Sequence, residues 1–256
     1  MDAPDRDGST LLCTLSASGV GAPLFLVPSI GSTPLSLVRL ARSIAPRRPV
    51  HAFAYAGLED DRPPHRTVEA IAEACVDELL AFSPRGPRLL GGHCLGGVVA
   101  LEIALQMEAR GERVEKLAVL DSYPPWRLGD VGSDERPRKV AGLWSSGGAA
   151  RRGTEAIAAR ALEHFPMLDA GVRARLRALT QLHVDASLAY LGRPVRARTH
   201  VLCSEGWDAS LVEGWSALAI GRVVRHELPG DTFSMLRPPH VEAAGRVLGR
   251  ALAEFA

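Results

Sequence analysis

Short apolar runs and helical stripes alternate through the first half of the chain. Residues 24–28, 50–55, 88–91 and 117–120 are brief, apolar segments, which is how strands buried on both faces read. Between them, residues 34–44, 68–82 and 98–109 repeat apolar positions at helical spacing. Ser32 or Thr33, and Thr67, stand where N-caps belong, and Gly111 stands where a helix ends. Strand and helix in strict alternation predict an α/β fold: a mostly parallel sheet with helices on both faces.

The rhythm breaks after Pro125. Residues 126–153 are rich in Gly, Arg and Ser, and two helical patterns follow at 154–164 and 170–191. Strand patterns return at 199–203 and 223–228, and a last helix begins near Val241. The expected organisation is therefore a core made of 1–125 and 193–256, interrupted by a mostly helical insertion over 126–192. Such an insertion is either an elaborated surface subdomain or a lid over the site. The lid is the favoured expectation, because long insertions at sheet ends often carry function.

Composition narrows the classes. The chain has 256 residues, 46% of them hydrophobic, enough for a substantial core, and a net charge of +1 gives no reason to expect a nucleic-acid partner. The four cysteines, Cys13, Cys75, Cys94 and Cys203, form no C-x-x-C pair and suit reduced thiols. The opening MDAPDRDGST lacks the basic and apolar regions of a signal peptide, and no apolar run approaches a membrane span. A cytoplasmic protein without membrane or metal site is expected.

The chemistry concentrates in GGHCLGG. A strand-to-helix turn flanked by Gly92 and Gly96 has the form of a nucleophile elbow, with Cys94 at its centre. The plainer alternative is one more buried core cysteine; the glycines and the strand–turn–helix setting favour the nucleophile. Leu95 then offers its N–H at a helix N-terminus, half of an oxyanion hole, and the helix dipole there is expected to enrich the thiolate. Ile30 or Gly31, in LFLVPSIGST, is placed to give the second N–H. Asp121, 27 residues beyond Cys94, ends the next strand, where an acid can orient a histidine.

With these motifs in order, the chain resembles the thioesterase family of polyketide and nonribosomal peptide synthesis. The resemblance runs through LFLVPSIGS, AYAGLEDDRPPHRTVEAIAEACVDELL, GPRLLGGHCLGGVVALEIALQMEARGE, KLAVLDSYPP and ELPGDTFSMLRPPHVEAAGRVL, and is weakest over 126–192. It implies an α/β-hydrolase fold with a helical lid, no bound cofactor, and an acyl chain presented on the phosphopantetheine of a transiently bound carrier protein. It puts Cys94 at the nucleophile, usually serine, Asp121 at the acid, and Ile30 on the oxyanion loop. Gly31 and, within the lid, Trp144, Phe165 and Met167 are candidates to bind the substrate, with Leu143, Leu162, Leu168, Leu176 and Leu179 beside the lid residues.

The resemblance fails at one position. The family places its histidine in Gly-Asp-His-Phe, and this chain reads Gly230-Asp231-Thr232-Phe233. A threonine is no general base near neutral pH. Of the eight histidines, His240, eight residues further on, is the best candidate to replace it; His183 could face the cleft, and His93 suits a packing role. The resemblance extends to stand-alone cysteine variants that close tetramate rings by Dieckmann condensation. Ring closure is the expected reaction, with a hydrolase acting on carrier-bound thioesters and an inert carrier-binding module as alternatives.

Overall fold

A computed structural model describes residues 10–125, 170–205 and 209–253. Seven strands form one sheet in the order β1-β3-β2-β4-β5-β6-β7. They are β1 (Leu12–Ser16), β2 (Leu24–Val27), β3 (Val50–Phe53), β4 (Arg88–His93), β5 (Val114–Leu120), β6 (Arg198–Ser204) and β7 (Val224–Leu228). The edge strand β1 is antiparallel to β3, and every other pairing is parallel. This is the α/β-hydrolase arrangement expected from the alternation.

The described helices are α1 (Val38–Ser43, preceded by a 3-10 turn at Pro34–Leu37), α2 (Val68–Phe82), α3 (Leu95–Ala109), α4 (Ala170–Ala189), α5 (Ala209–Ala217) and α6 (Val241–Ala253). Alternate strand residues face opposite layers. Phe25 and Val27 point into a core shared with α2 and α3, whereas Leu24 and Leu26 join α1 and α6 on the other face. Helix α2 starts where Thr67 accepts a hydrogen bond from the Ala70 N–H at 3.1 Å, and it buries Val68, Ile71, Ala72, Cys75, Val76 and Leu79. The helical spacing expected over 98–109 is no one-sided stripe: helix α3 is buried nearly all round, and its apolar residues run almost continuously.

Two buried charges join the layers. Glu102 of α3 accepts the Tyr190 hydroxyl at 2.6 Å and so anchors the chain beyond α4. The Lys116 ammonium of β5 donates to the Ala251 and Leu252 carbonyls at 3.1 and 3.0 Å, closing the C-terminal end of α6. Only α4, within the expected insertion, lies among the described residues. Its Leu176 and Leu179 are buried in the same core as α2 and α3. These two were candidates for a lid's inner face; they pack the helix onto the core instead. Residues 126–169, which include Trp144, Phe165 and Met167, lie outside the described residues.

The sheet order places the site. From β2 the chain turns outward to β3, whereas β4 lies on the other side of β2. The carboxyl ends of β2 and β4 therefore flank a topological switch point, where loops diverge and leave a crevice. Ile30 follows one of these strands and Cys94 the other.

Candidate active site

Cys94 sits directly after β4 with φ 56° and ψ −124°. A non-glycine residue in this region is held against a steric cost of order 1–3 kcal/mol. The turn closes only because its flanks lack side chains. A Cβ on Gly92 would lie 2.0 Å from the Gly96 carbonyl oxygen, and one on Gly96 would lie 2.2 Å from the Val27 carbonyl oxygen. The Gly97 N–H bonds the Cys94 carbonyl at 3.0 Å, starting α3 at once.

Strand register brings the acid beside the thiol. His93 pairs with Leu120, so the next residues, Cys94 and Asp121, leave the sheet side by side. The ladder runs one step further, with Cys94 N–H on the Leu120 carbonyl and Asp121 N–H on the Leu202 carbonyl, both at 2.9 Å. Asp121 also has a positive φ, 41°, and is fully buried.

Three groups meet the sulfur. The Ser29 hydroxyl donates to it, and so do the backbone N–H groups of Leu95 and Ile30. The two N–H groups expected to form an oxyanion hole thus converge on the sulfur, one from the loop after β2 and one from the start of α3. Gly31, with φ 62°, continues the same loop and lines a cavity next to it.

Burial outweighs these donors. Cys94 is only 2% exposed. Desolvation pushes its thiol up to about 12, against the pull of Ser29, Leu95 and Ile30, and the Asp121 carboxylate nearby pushes the same way. The expected enrichment of thiolate by the helix dipole is therefore overturned, because a buried anion loses more hydration than one helix end returns. At neutral pH the Cys94 thiol therefore keeps its proton.

The vacancy in the Gly-Asp-His-Phe pattern is filled. Thr232 donates its hydroxyl to Asp121 Oδ2 at 2.7 Å, and on the same carboxylate Ser204 places its N–H on Oδ1 at 2.6 Å and its hydroxyl on Oδ2. The Thr232 backbone carbonyl meets His93 Nε2 at 2.8 Å. A carbonyl only accepts, so Nε2 carries the proton and Nδ1, buried without a partner, is left with a lone pair. Desolvation lowers the His93 imidazole to about 4, opposed by the Thr232 carbonyl. His93, expected only to pack, ties the elbow to the loop after β7.

His240 does not join this constellation. Its N–H bonds the Arg237 carbonyl at 2.8 Å and its carbonyl receives the Ala244 N–H, which fixes it at the start of α6. Its ring lies over Gly230, where a Cβ would come within 2.9 Å of it, and makes no hydrogen bond to Cys94 or Asp121. Between Thr232 and His240 the chain turns at Asp231, whose carboxylate accepts the Phe233 and Ser234 N–H groups at 2.8 Å. His183 on α4 is buried against Tyr55, ring centroids 4.4 Å apart, and burial lowers it to about 4.

The sequence pattern did not single out Ser29, Tyr55, Tyr123 or Ser204. Burial raises both tyrosine hydroxyls well above their usual range, with Cys94 adding to the effect on each. Ser29 sits one residue before Ile30 in the loop already marked, and Ser204 ends the strand next to Asp121. Both positions were legible as neighbours of the site, though not their roles.

The thioesterase domain profile matches residues 22–250. The chain belongs to the thioesterase family. It is 25% identical over 95% of its length to indigoidine synthase from Dickeya dadantii (strain 3937). It is 24% identical over 94% of its length to the nonribosomal peptide synthetase apvA from Aspergillus terreus (strain NIH 2624 / FGSC A1156). The chain spans 18% and 29% of those relatives, so it resembles one domain of each. Among solved structures, the Vlm2 thioesterase domain bound with a dodecadepsipeptide (space group P1) is 26% identical with a TM-score of 0.72, covering 94% of this chain and 96% of that one. The NocB thioesterase domain, in covalent complex with a fluorophosphonate nocardicin G analogue, shares the fold at a TM-score of 0.75 and 23% identity, over 95% of this chain and all of that one. This thioesterase is thus an acyl-transfer enzyme of the kind found in polyketide and nonribosomal peptide synthetases. Among the described residues no helix is long and apolar enough to cross a membrane, and no cluster of three or more His, Cys, Asp or Glu residues could hold a metal.

Proposed function

We propose that this thioesterase releases a carrier-bound acyl chain by ring closure on Cys94 rather than by hydrolysis, and that the ring is a tetramate formed by Dieckmann condensation. The observation that carries the reading is Thr232 on Asp121, where the family's histidine would stand, combined with a thiol at the elbow. A transient carrier protein would present the substrate as a β-ketoacyl-aminoacyl thioester.

The protonated thiol fits an exchange in which nothing is left over. The Cys94 sulfur bonds to the acyl carbon, the bond from that carbon to the pantetheine sulfur breaks, and the thiol proton passes to the departing pantetheine sulfur. The Ile30 and Leu95 N–H groups hold the carbonyl oxygen as charge develops on it. Exchange of one thioester for another is close to thermoneutral, so the acyl group stays activated.

Release then divides between water and the substrate's own carbon. Water needs a base to attack, and the hydroxyl at Thr232 cannot serve. A carbon between two carbonyls is acidic enough to need only a modest base, and it is held at high effective concentration. As the carbon–carbon bond forms, the bond from the acyl carbon to Cys94 breaks. The proton lost by the carbon returns to the Cys94 sulfur, whose high proton affinity suits it to accept one.

Incubation with a synthetic β-ketoacyl-aminoacyl pantetheine thioester tests the reading. It predicts an acyl group on Cys94 by intact-protein mass spectrometry and a cyclic product. Linear acid alone, formed faster than without enzyme, replaces the cyclase with a hydrolase. No acylation at all leaves only carrier binding.

A further inference from the structure

Strand β2 hands the chain to the loop beside the elbow at a proline. The last ladder pair of β2 with β4 is Val27 with Gly92, and Pro28, which follows, has no N–H to extend the pairing. Ser29 and Ile30, which bring a hydroxyl and an N–H to the Cys94 sulfur, therefore stand beyond the sheet, where no ladder aims them. Their aim depends on the two peptide planes that meet at Ser29. A trans plane carries its carbonyl and its N–H on opposite edges, so holding the oxygen also directs the N–H. The second plane is held from within the loop. The Ser29 carbonyl accepts the Ser32 N–H and the Ser32 hydroxyl, both at 3.2 Å, and the Ile30 N–H points the other way.

The first plane is held from outside the loop, by Tyr55. Strand β3 lies next to β2 with Leu26 opposite Ala52, so the chain leaving β3 emerges beside the chain leaving β2. Tyr55 stands there, two residues past the end of β3, and donates its hydroxyl to the Pro28 carbonyl at 2.7 Å. The bond is buried, and Tyr55 is only 4% exposed. Gly96 of α3 lets the same carbonyl come close, since a Cβ there would lie 2.6 Å from the Pro28 oxygen. His183 of α4 packs on the phenol ring from another side, ring centroids 4.4 Å apart. Burial keeps the phenol protonated at neutral pH, so it serves as a donor and adds no charge near the thiol.

We infer that Tyr55 is a positioning residue for acyl transfer: by holding the Pro28 carbonyl, its hydroxyl aims the Ser29 hydroxyl and the Ile30 N–H at Cys94. This rests on the reading that the Ile30 and Leu95 N–H groups hold the carbonyl oxygen during the reaction, and it adds what keeps one of those two donors in place. Tyr55 makes no hydrogen bond to the sulfur, so it acts only through the loop. Hydrogen bonds weaken steeply as they bend, so a small rotation of the freed loop would cost both donors. Through His183, helix α4 supports the same assembly.

Tyr55→Phe keeps the ring and its contact with His183 and removes only the hydroxyl. Hydrogen exchange with mass spectrometry reads the hold on the loop and needs no chemistry at Cys94. Exchange over residues 28–32 should speed by about tenfold, as the loss of one buried hydrogen bond implies, while α2 and α3 change by less than about twofold. Single-turnover acylation by an acyl N-acetylcysteamine thioester reads the consequence. Its maximal rate should fall by about tenfold or more, with the half-saturating concentration within about twofold. Thr180→Val is the comparison, since it removes a buried hydroxyl bonded to the Leu176 carbonyl within α4. It should lower the melting temperature without changing loop exchange or acylation. Unchanged loop exchange in Tyr55→Phe overturns the inference, as does exchange that rises equally in every element, because the hydroxyl would then only stabilise the fold. Faster loop exchange with an unchanged acylation rate overturns it for a different reason: Tyr55 would hold the loop, and the oxyanion reading beneath the inference would be what fails.

Discussion

The elbow after β4 and the loop after β7 approach the same carboxylate, yet they are constrained in different ways. In the elbow the backbone leaves no choice: side chains at Gly92 or Gly96 would collide with main-chain oxygens. The loop after β7 is held through polar contacts, the Asp231 turn within it and the His93 and Asp121 contacts to Thr232. The elbow therefore fixes where a nucleophile stands and leaves its element, oxygen or sulfur, open. The loop fixes a position next to the acid and leaves open whether that position carries a base. In this chain both open choices differ from the family's usual pair. A thiol stands at the elbow, and a threonine hydroxyl rests on the acid.

The largest expected effect breaks the elbow side of the comparison. Cys94→Ala should lower turnover by roughly 10⁴-fold or more, because no other group takes over a covalent nucleophile. Circular dichroism should show the fold retained, since alanine also fits this turn. Appreciable residual product from this variant would show that chemistry proceeds without the thiol.

Thr232→His restores a base to the other side. With an imidazole beside Asp121, linear acid formation should rise by roughly 10²-fold, within the range of general-base catalysis. Product ratios by liquid chromatography would show the change. If the ratio stays put, the threonine is not what limits hydrolysis.

A pH profile separates the thiol from its donors. With the Cys94 thiol raised to about 12, only the minor deprotonated form reacts at neutral pH. Its alkylation by iodoacetamide, followed by peptide mapping, should rise about tenfold per pH unit towards that value. Ser29→Ala removes a donor to the sulfur and should slow alkylation at fixed pH by about three- to tenfold. A rate that levels off near pH 7 would mean that the thiolate is already the resting form.

His240→Ala should matter least, changing turnover by less than about threefold. A general base in that place would cost 10²-fold or more. Steady-state rates distinguish the two, and a large loss would require the loop to move His240 towards Cys94 during the reaction.

The legibility of the sequence follows the same division. Backbone-determined features read directly. Residues 68–82 gave helix α2 at its observed limits, because Thr67 marks the start and apolar spacing marks the face. GGHCLGG read as an elbow because only small flanks permit that turn. The edge strand Leu12–Ser16 escaped notice, since a half-exposed antiparallel edge lacks the solid apolar run of its neighbours. Helix α5, Ala209–Ala217, was missed as well, hidden in a short, mixed stretch between two strands. Long-range polar contacts were the least legible. Nothing in the local pattern says that Thr232 would bond Asp121 across 111 residues, or that burial would reverse the effect of the helix dipole on Cys94. Nor does the local pattern say that the His240 ring would lie over Gly230, without a hydrogen bond to Cys94 or Asp121.

The central claim is that the thiol at the elbow and the threonine beside the acid together favour ring closure over hydrolysis. The most direct test is the partition of a single acyl-enzyme. Wild-type protein carrying a β-ketoacyl-aminoacyl group on Cys94 is isolated rapidly and allowed to decay, and ring and linear acid are counted by mass spectrometry. The account predicts that the ring dominates, and that an analogue blocked at the nucleophilic carbon leaves a long-lived acyl-enzyme. Rapid decay of the blocked analogue to linear acid would contradict it, because water would then be activated without a histidine at position 232.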